Sequence, residues 1–188
     1  MDYMAEKKIA VAITGASGSI YAKRFLNLLN QAENIEIGLV ISKNAKEVWE
    51  WELKEKMNIQ ESIRVYDVMD YFAPFASGSS KYEALVIIPC SMGTIGRIAH
   101  GLSDDLITRA ADVMLKEKRK LICVIRETPL SLIHLKNLVQ ISEAGGIVLP
   151  ASPSFYSHPQ NIEQLVDTVI HRIFDHLHIK VEAYRWCE

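Results

Sequence analysis

The stretch IAVAITGASGSIYA, residues 9–22, places an unbroken apolar run directly before a turn of glycine, alanine and serine. A run that is apolar at successive positions is typical of a strand covered on both faces, as in a parallel sheet. Glycine allows the chain to turn sharply after such a strand, and a helix is predicted to follow near residues 19–31. The stretch therefore predicts the first strand, turn and helix of an α/β sheet.

The same alternation of strand and helix continues along the chain. Further apolar runs of strand length occupy residues 35–41, 84–90, 121–126 and 146–150. Helical segments are predicted at residues 44–57, 92–100, 104–118, 130–144 and 160–178. The pattern predicts a doubly wound α/β fold of Rossmann or flavodoxin-like type. Such a fold is a three-layer sandwich around a mainly parallel sheet, here of about five strands.

The length of the chain suits one domain with a core of ordinary size. We expect a single domain over residues 1–188, with an N-terminal extension at 1–8 and a C-terminal tail at 179–188. Residues 58–83 are aromatic at first and then rich in glycine and serine. We interpret this segment as a long connection that lies over the sheet.

The composition narrows the classes of function. A formal net charge of -2 and the lack of any block of lysine and arginine argue against binding to nucleic acid or an anionic membrane surface. The first apolar run is too short for a signal peptide or a membrane span, so we expect a cytoplasmic protein. The three cysteines lack CxxC spacing, which indicates neither a disulfide framework nor a zinc site.

The residues that directly follow the apolar runs are the candidate site. In open parallel sheets, ligands bind at the carboxyl ends of the strands, where helix N-termini present backbone N–H groups. Small, hydroxyl-bearing or charged residues occupy these positions, at 15–19, 42–44, 90–94, 126–128 and 150–153. A phosphorylated cofactor suits such a set of donors.

The residues that follow the first two apolar runs help to distinguish between possible cofactors. The turn TGASGS lacks the full GxGxxG spacing and is weak evidence by itself. Ser42 stands at the end of the second run, where a ribose-binding NAD site would need an acidic residue. This difference favours flavin mononucleotide (FMN) over NAD.

Arg126 and Glu127 form an unusual pair directly after a buried run. In a crevice that holds anions, Arg126 could bind a phosphate or a flavin carbonyl, and Glu127 could donate or accept a proton. Alternatively, the two residues could form a salt bridge that caps the strand or holds the next helix. The residues alone leave both interpretations open.

Several motifs, in this order along the chain, resemble those of the flavin prenyltransferase family, the UbiX/Pad proteins once called aromatic acid decarboxylases. They are GASGS, the ISK that precedes the second helix, PCSMGTIGRIAHGLSDDLITRAADVMLKEKR, VIRETPLSLIHLKN and LPASPSFYSHPQ. The similarity extends from Ile9 to the Arg-Trp pair near the C-terminus.

This resemblance implies a metal-independent transfer of a dimethylallyl group from dimethylallyl monophosphate to reduced FMN. The group is attached first at N5, and a fourth ring then closes at C6. The product, prenylated FMN, serves as the cofactor of a separate UbiD-type decarboxylase. The family also implies a homo-oligomer, a dodecamer built from trimers, in which some site residues meet across subunit boundaries.

The resemblance also assigns site residues, motif by motif. Those implied to bind FMN are Gly15, Ala16, Ser17, Ser42, Ser91, Met92, Gly93, Thr94 and Arg126. Those implied to bind the prenyl phosphate are Lys116, Tyr156 and Arg172. Those implied to act in catalysis are Ser17, Glu52, Lys116, Glu127 and Trp186.

Each catalytic role has a physical reason, because loss of phosphate from an allylic carbon leaves a cation and an anion that both need stabilisation. Lys116 supplies positive charge for the anion, and Trp186 presents its π face to the allyl cation. In the role that the resemblance implies, Glu127 would pass a proton to the departing phosphate through the hydroxyl of Ser17. Glu52 assists a later removal of a proton.

Ordinary structural explanations exist for several of these residues. Lys116 lies in the charged stretch LKEKRK, where a solvated lysine is typical. Arg172 could be a surface residue of its helix, and Trp186 could simply anchor the tail. Tyr156 is less ambiguous, since a proline-flanked loop at a strand end is a poor place to bury an aromatic ring for packing alone.

Two other functions remain open on the sequence. An FMN-dependent cysteine decarboxylase of the same fold would carry a PxANT-type turn and a PxMNxxMW motif, where this chain has PCSMGT and RETPLSLIHLKN. A non-catalytic flavin-binding subunit of an aromatic acid decarboxylase would need the crevice. It would not need Lys116, Glu127, Tyr156 and Arg172.

Overall fold

The computed structural model describes residues 7–187, and in this range the apolar runs form one sheet of six strands. The strands are β1 Lys7–Ile13, β2 Ile35–Ile41, β3 Arg64–Tyr66, β4 Tyr82–Cys90, β5 Lys120–Ile125 and β6 Ile147–Pro150. Their order across the sheet is β3-β2-β1-β4-β5-β6, and every neighbouring pair is parallel. This is the strand order of the doubly wound Rossmann arrangement, and the predicted fold class is confirmed.

Six α-helices accompany these strands within the described range, five of them between strands and the sixth after β6. They are α1 Ser19–Gln31, α2 Lys43–Leu53, α3 Met92–Ala99, α4 Leu106–Lys116, α5 Leu132–Glu143 and α6 Ile162–Leu177. Most predicted boundaries agree within about two residues, the accuracy expected of helix ends. The largest difference is at the end of α2, where Lys54 adopts a left-handed conformation with φ 55° and terminates the helix before the predicted position 57.

Two parts of the predicted organisation need correction or comment. Residues 58–83 are more than a connection, because they contain the edge strand β3 and a short 3-10 helix, Pro74–Ala76. The strand has only three residues, of which two are exposed, so no apolar run marked it. Of the predicted N-terminal extension, residues 1–6 lie outside the described range, as does Glu188 of the tail, whereas Lys7 and Lys8 begin β1.

Both faces of the sheet are covered, which explains the unbroken apolar runs. In β1, Ile9, Val11 and Ile13 point into a core shared with α1 and α6. Ala10 and Ala12 point into the opposite core, shared with α3 and α4. No helix among residues 7–187 has the length and apolar character needed to cross a membrane.

The carboxyl ends of β1 and β4 lie where the direction of winding reverses. From β1 the chain moves to β2 and β3 on one side, and it then returns to place β4 on the other side of β1. Helices that leave two neighbouring strands in opposite directions open a crevice at this point, where α/β proteins bind ligands. The buried hydroxyl of Thr14 joins the two strand ends by donating to the carbonyl oxygen of Pro89 at 2.8 Å and accepting the N–H of Ser91 at 2.8 Å.

The middle of β2 lies against a tight aromatic cluster. The rings of Tyr66 and Phe75 are 5.1 Å apart between centroids, and those of Phe75 and Tyr82 are 5.2 Å apart. A Cβ atom at Gly38 would lie 2.8 Å from Phe75 Cε1 and 2.8 Å from the Tyr82 hydroxyl. The cluster therefore packs directly on the backbone of β2.

Gly38→Ala should destabilise the protein by about 1–3 kcal/mol, because a buried methyl group has no room beside two rings. Denaturant unfolding monitored by circular dichroism measures this change. The control is Gly93→Ala, whose Cβ would approach only the Ser91 hydroxyl, at 4.0 Å. It should keep or slightly raise stability, since alanine favours the helix. Equal stability of the two variants would contradict the packing argument.

Candidate active site

The turn between β1 and α1 lies against the start of α2, because β1 and β2 end side by side. The N–H of Ser42 donates to the carbonyl oxygen of Ile13 at 3.0 Å. A Cβ atom at Gly15 would lie only 2.7 Å from Asn44 Cβ, so a larger residue would push the turn away from α2. Gly15 and Ser42, both predicted to bind FMN, are therefore neighbours.

Two serines cap the helices that begin at the crevice. The Ser42 hydroxyl accepts the N–H of Ala45 at 3.3 Å, and the Ser91 hydroxyl accepts the N–H of Thr94 at 3.2 Å. The hydroxyls of Ser91 and Thr94 are 3.0 Å apart. A helix leaves its first N–H groups without acceptors inside the helix, and its dipole favours an anion there. The N-termini of α2 and α3 thus form a place suited to a phosphate.

The N-terminus of α1 differs because an anion of the protein already occupies it. Its N-cap residue is Gly18, which has a φ of 110° in the left-handed region and no side chain to cap the helix. The carboxylate of Glu52, from the last turn of α2, accepts the N–H of Gly18 at 2.9 Å and that of Ser19 at 2.7 Å. Glu52 therefore replaces the missing cap and ties α2 to the first turn.

The ionisation of Glu52 follows from these contacts. Burial raises its pKa, but hydrogen bonds from the Ser17 hydroxyl and from Ser19 and Gly18 outweigh this effect and leave the pKa below its ordinary value. Hydrogen bonds donated to a carboxylate favour the charged form. Glu52 is therefore an anion at neutral pH, and the Ser17 hydroxyl is held by it.

Arg126 extends from the end of β5 across the end of β4 to the first turn. Its Nε donates to the carbonyl oxygen of Ser17 at 3.2 Å. Glu127 is exposed and accepts the N–H of Thr128 at 3.1 Å. The Arg126 side chain thus points to the turn between β1 and α1 and does not pair with Glu127. This argues against the simple salt bridge considered from the sequence.

A second group of predicted residues lines a pocket of about 380 Å³ between the loop after β6, α6 and the tail. Tyr156 and Trp186 meet edge to face, with 4.8 Å between ring centroids and an interplanar angle of 71°. Arg172 lies on α6 with its side chain 64% exposed, and its Nη1 donates to Asp175 Oδ2 at 2.9 Å. Three residues from separate motifs therefore share one pocket.

Lys116 is not brought to either group within one chain. It is the last residue of α4 and pairs with Glu117 at 2.8 Å. The next strand, β5, begins at Lys120 and ends just before Arg126. At about 3.3 Å per strand residue, Lys116 lies near the opposite edge of the sheet.

Two residues of the site were not identified from the sequence. They are Asp175 and Arg185, which line the pocket that contains Tyr156. Asp175 could have been found from its i+3 spacing to Arg172 on a predicted helix. For Arg185, the only feature of the sequence that could have indicated a place in the site is its position beside Trp186. Among the described residues, no group of three or more His, Cys, Asp and Glu side chains is placed to hold a metal ion.

Known proteins are similar to this chain over nearly its whole length. The model of the Flavoprotein family matches residues 2–174. The flavin prenyltransferase UbiX of Methanocaldococcus jannaschii is 44% identical over 186 residues, which cover 95% of this chain and 98% of that protein.

Solved structures lead to the same group of proteins. The structure of AnUbiX (PadA1) in complex with FMN and dimethylallyl pyrophosphate has a TM-score of 0.91 and 38% identity, and covers 97% of this chain and 100% of that one. The dodecameric FMN-dependent UbiX-like decarboxylase of Escherichia coli O157:H7 has a TM-score of 0.89 and 37% identity, and covers 96% and 100%. The cysteine decarboxylase TvaF, at 15% identity and a TM-score of 0.61, shares the fold alone.

Glu52→Gln should lower the free energy of unfolding by about 1 kcal/mol at pH 7, because an anionic cap of α1 is lost. The pKa of Glu52 is depressed from 4.5, so the stabilisation is complete above that pH and is lost as the pH falls through the lower, folded-state pKa. Urea unfolding between pH 3 and 7 measures the difference from the wild type, which should shrink below about pH 4.5.

The control for this prediction is Glu50→Gln, which removes an exposed carboxylate of the same helix. This variant should stay within about 0.5 kcal/mol of the wild type. A difference between the wild type and Glu52→Gln that does not depend on pH would show that the carboxylate does not act as a charged cap.

Proposed function

This chain belongs to the flavoprotein family, as a flavin prenyltransferase of the UbiX type, and we propose that its crevice and pocket transfer dimethylallyl from dimethylallyl monophosphate to reduced FMN. The observation that carries the proposal is that the predicted residues gather into two distinct groups. One is an anion-binding crevice closed by Arg126, and the other is a cationic and aromatic pocket that contains Tyr156, Arg172 and Trp186.

The residues of the crevice fit an FMN molecule. The phosphate would lie at the N-termini of α2 and α3, near Ser42 and the segment Ser91–Thr94, because Glu52 already occupies the N-terminus of α1. The turn of Gly15, Ala16 and Ser17, with the Arg126 guanidinium, would contact the isoalloxazine ring. When bound, reduced FMN supplies the electron-rich N5 and C6 atoms that receive the dimethylallyl group.

The pocket fits the allylic phosphate. Arg172 would bind the phosphate and stabilise its charge as the carbon–oxygen bond breaks. Tyr156 would donate its hydroxyl to the same phosphate, and the face of the Trp186 ring would lie near the positive charge on the allyl carbons. Aromatic rings also exclude water, which would otherwise capture the cation.

Proton transfer is assigned to two carboxylates. Glu127 is exposed at the crevice and would donate a proton to the departing phosphate through the Ser17 hydroxyl. Glu52, which holds the Ser17 hydroxyl, would keep this group oriented and assist the later removal of a proton. Such roles require groups within hydrogen-bond reach, and the lowered pKa of Glu52, to which a hydrogen bond from Ser17 contributes, supports this pairing.

A second copy of the chain would complete the site, because Lys116 does not line the pocket of Tyr156 and is separated from Arg126 by the length of β5. Large apolar side chains are exposed on the described surface, including Phe72 at 99%, Leu132 at 67% and Ile133 at 69%. Such surface is typical of an interface between subunits. A homo-oligomer, as in the dodecameric relative, would bury it and carry Lys116 to the pocket of a neighbouring subunit.

The product, prenylated FMN, would pass to a UbiD-type decarboxylase that uses it as a cofactor. The alternative of a cysteine decarboxylase is disfavoured by the residues that stand in place of its two motifs, PCSMGT and RETPLSLIHLKN. A flavin-binding subunit without catalysis would explain the crevice. It would leave the pocket of Tyr156, Arg172 and Trp186 without a purpose.

Anaerobic incubation of the protein with reduced FMN and dimethylallyl monophosphate should produce a flavin heavier by one dimethylallyl unit, as measured by mass spectrometry. Glu127→Gln should retain FMN binding but slow formation of this adduct, because a proton donor is lost. Arg126→Ala should weaken FMN binding by roughly tenfold or more, the effect of one charge-assisted hydrogen bond.

The control for these two variants is Glu143→Gln, which changes the last residue of α5. It should behave as the wild type in both measurements. A wild-type protein that binds FMN but forms no adduct would disprove the transferase activity, and unchanged turnover in Glu127→Gln would disprove the proton-transfer role of Glu127.

Co-expression of Lys116→Ala and Arg126→Ala chains should restore activity that each variant lacks alone. If the chains mix at random, roughly a quarter of the sites would combine an intact Lys116 from one subunit with an intact Arg126 from another. Mixing the separately purified, assembled proteins without exchange is the control. No recovery in verified mixed oligomers would show that Lys116 does not act across a subunit boundary.

A further inference from the structure

Asp175 lies between two arginines at the pocket that contains Tyr156. Arg172, on the same helix, donates from Nη1 to Asp175 Oδ2 at 2.9 Å. Arg185, on the tail, donates from Nη1 to Oδ2 at 2.9 Å, and its Nη2 is 2.8 Å from Oδ1. The pairing of Asp175 with Arg185 is therefore bidentate, whereas that with Arg172 is a single contact. Bidentate pairs are stronger and fix the direction of the guanidinium.

The tail reaches this position by turning back along α6. The helix ends at Leu177, and the next residue, His178, has a φ of 54° in the left-handed region, where the chain leaves the helix. Ile179 and Val181 then pack against the core that contains α1 and α6. Beyond them, Arg185 meets Asp175, and the next residue places its ring on Tyr156. The ion pair thus joins the tail to the helix directly beside Trp186.

The charges at the pocket leave one positive charge in excess. The hydrogen bond from Arg185, opposed by burial and assisted by the positive charges of Arg185 and Arg172, lowers the pKa of Asp175. Asp175 is therefore ionised at neutral pH. Burial lowers the pKa of His171 at the same pocket, which favours its neutral form. One carboxylate thus faces two guanidinium groups.

In this arrangement the two arginines differ in function: Arg185 neutralises Asp175, and Arg172 can move to another anion. If Arg172 were the sole partner of Asp175, turning towards a substrate phosphate would leave a carboxylate without a counter-charge, which is costly in a partly buried place. Because Arg185 already holds both oxygens of Asp175, Arg172 can leave at small cost. A single exposed contact of this kind contributes at most about 1 kcal/mol.

We propose that Asp175 and Arg185 are positioning residues of the prenyl-transfer site. Their pair holds the tail so that Trp186 covers the pocket beside Tyr156, and it leaves Arg172 available to the phosphate of the substrate. The inference rests on the proposed function, since it assigns a role in the same reaction. Neither residue touches the reacting atoms in this role, and each acts through a neighbour.

Release of the tail can be measured without any activity. In Asp175→Asn and Arg185→Gln, limited trypsin digestion should cleave after Lys180 at least about threefold faster than in the wild type, because the tail loses an attachment. Arg185→Lys keeps the charge but loses the bidentate geometry, so its cleavage rate should be intermediate. Mass spectrometry of the intact protein follows the loss of the tail.

The substitutions should change the kinetic constants for the allylic substrate and not the affinity for FMN. In Asp175→Asn, kcat/KM for dimethylallyl monophosphate should drop by about tenfold, with the order wild type, Arg185→Lys, Arg185→Gln, while the Kd for FMN stays unchanged. A purely structural role would not produce this separation between the two ligands. The assay is adduct formation with FMN saturating and the phosphate concentration varied.

The chain offers a matched control in Asp167→Asn. Asp167 lies on the same helix and forms a bidentate pair with Arg24, at 2.9 Å and 2.6 Å, that faces α1 rather than the tail. Asp167→Asn should lower stability without changing cleavage at Lys180 or the kinetics. The positioning role is disproved if Asp175→Asn and Asp167→Asn give the same cleavage rates and the same kcat/KM.

The two proposals fail in different ways. If the wild type forms no adduct, the proposed function is wrong, and digestion of Asp175→Asn still decides whether the pair holds the tail. If the wild type is active and Asp175→Asn is cleaved faster yet keeps its full kcat/KM, the pair holds the tail but does not position the site, and the inference is wrong.

Discussion

The arrangement of the site depends on the buried hydroxyl of Thr14, which joins the ends of the two central strands. It donates to the carbonyl oxygen of Pro89 and accepts the N–H of Ser91, both at 2.8 Å. A buried polar group without partners would cost about 1–3 kcal/mol, so both contacts hold β1 and β4 together where the winding reverses. The turn that contains Ser17 and the helix that begins after Ser91 consequently face each other across the crevice.

Two carboxylates distribute the positive groups around this crevice and the neighbouring pocket. Glu52 occupies the N-terminus of α1, and in the proposed function the N-termini of α2 and α3 bind a phosphate of the ligand. Asp175 pairs with Arg185 through both carboxylate oxygens, and in our proposal this pairing allows Arg172 to bind a phosphate of the substrate. In both cases the protein satisfies one donor internally, and the donor beside it remains available for an anion from solution.

Much of the fold was predictable because strand and helix leave clear periodic patterns. The runs at 9–14, 35–41 and 84–90 became β1, β2 and β4, since residues covered on both faces must all be apolar. Strand β3 was missed because a short edge strand has little buried surface to reveal it. In the site, Arg126 was identified as a residue that could enter the crevice, but its turn towards Ser17 and away from Glu127 depends on a contact between residues 109 positions apart.

The sequence by itself determined the α/β fold and the motifs that mark a flavin prenyltransferase, and it predicted the carboxyl ends of the strands as the place of the site. These follow from local pattern and from motif order, which a linear chain records directly. Only the tertiary structure decided which side chains meet: Glu52 with the start of α1, Tyr156 with Trp186, and Asp175 with Arg185. It also separated Lys116 from Arg126, because a helix and the strand after it run in opposite directions and place these two residues at opposite edges of the sheet.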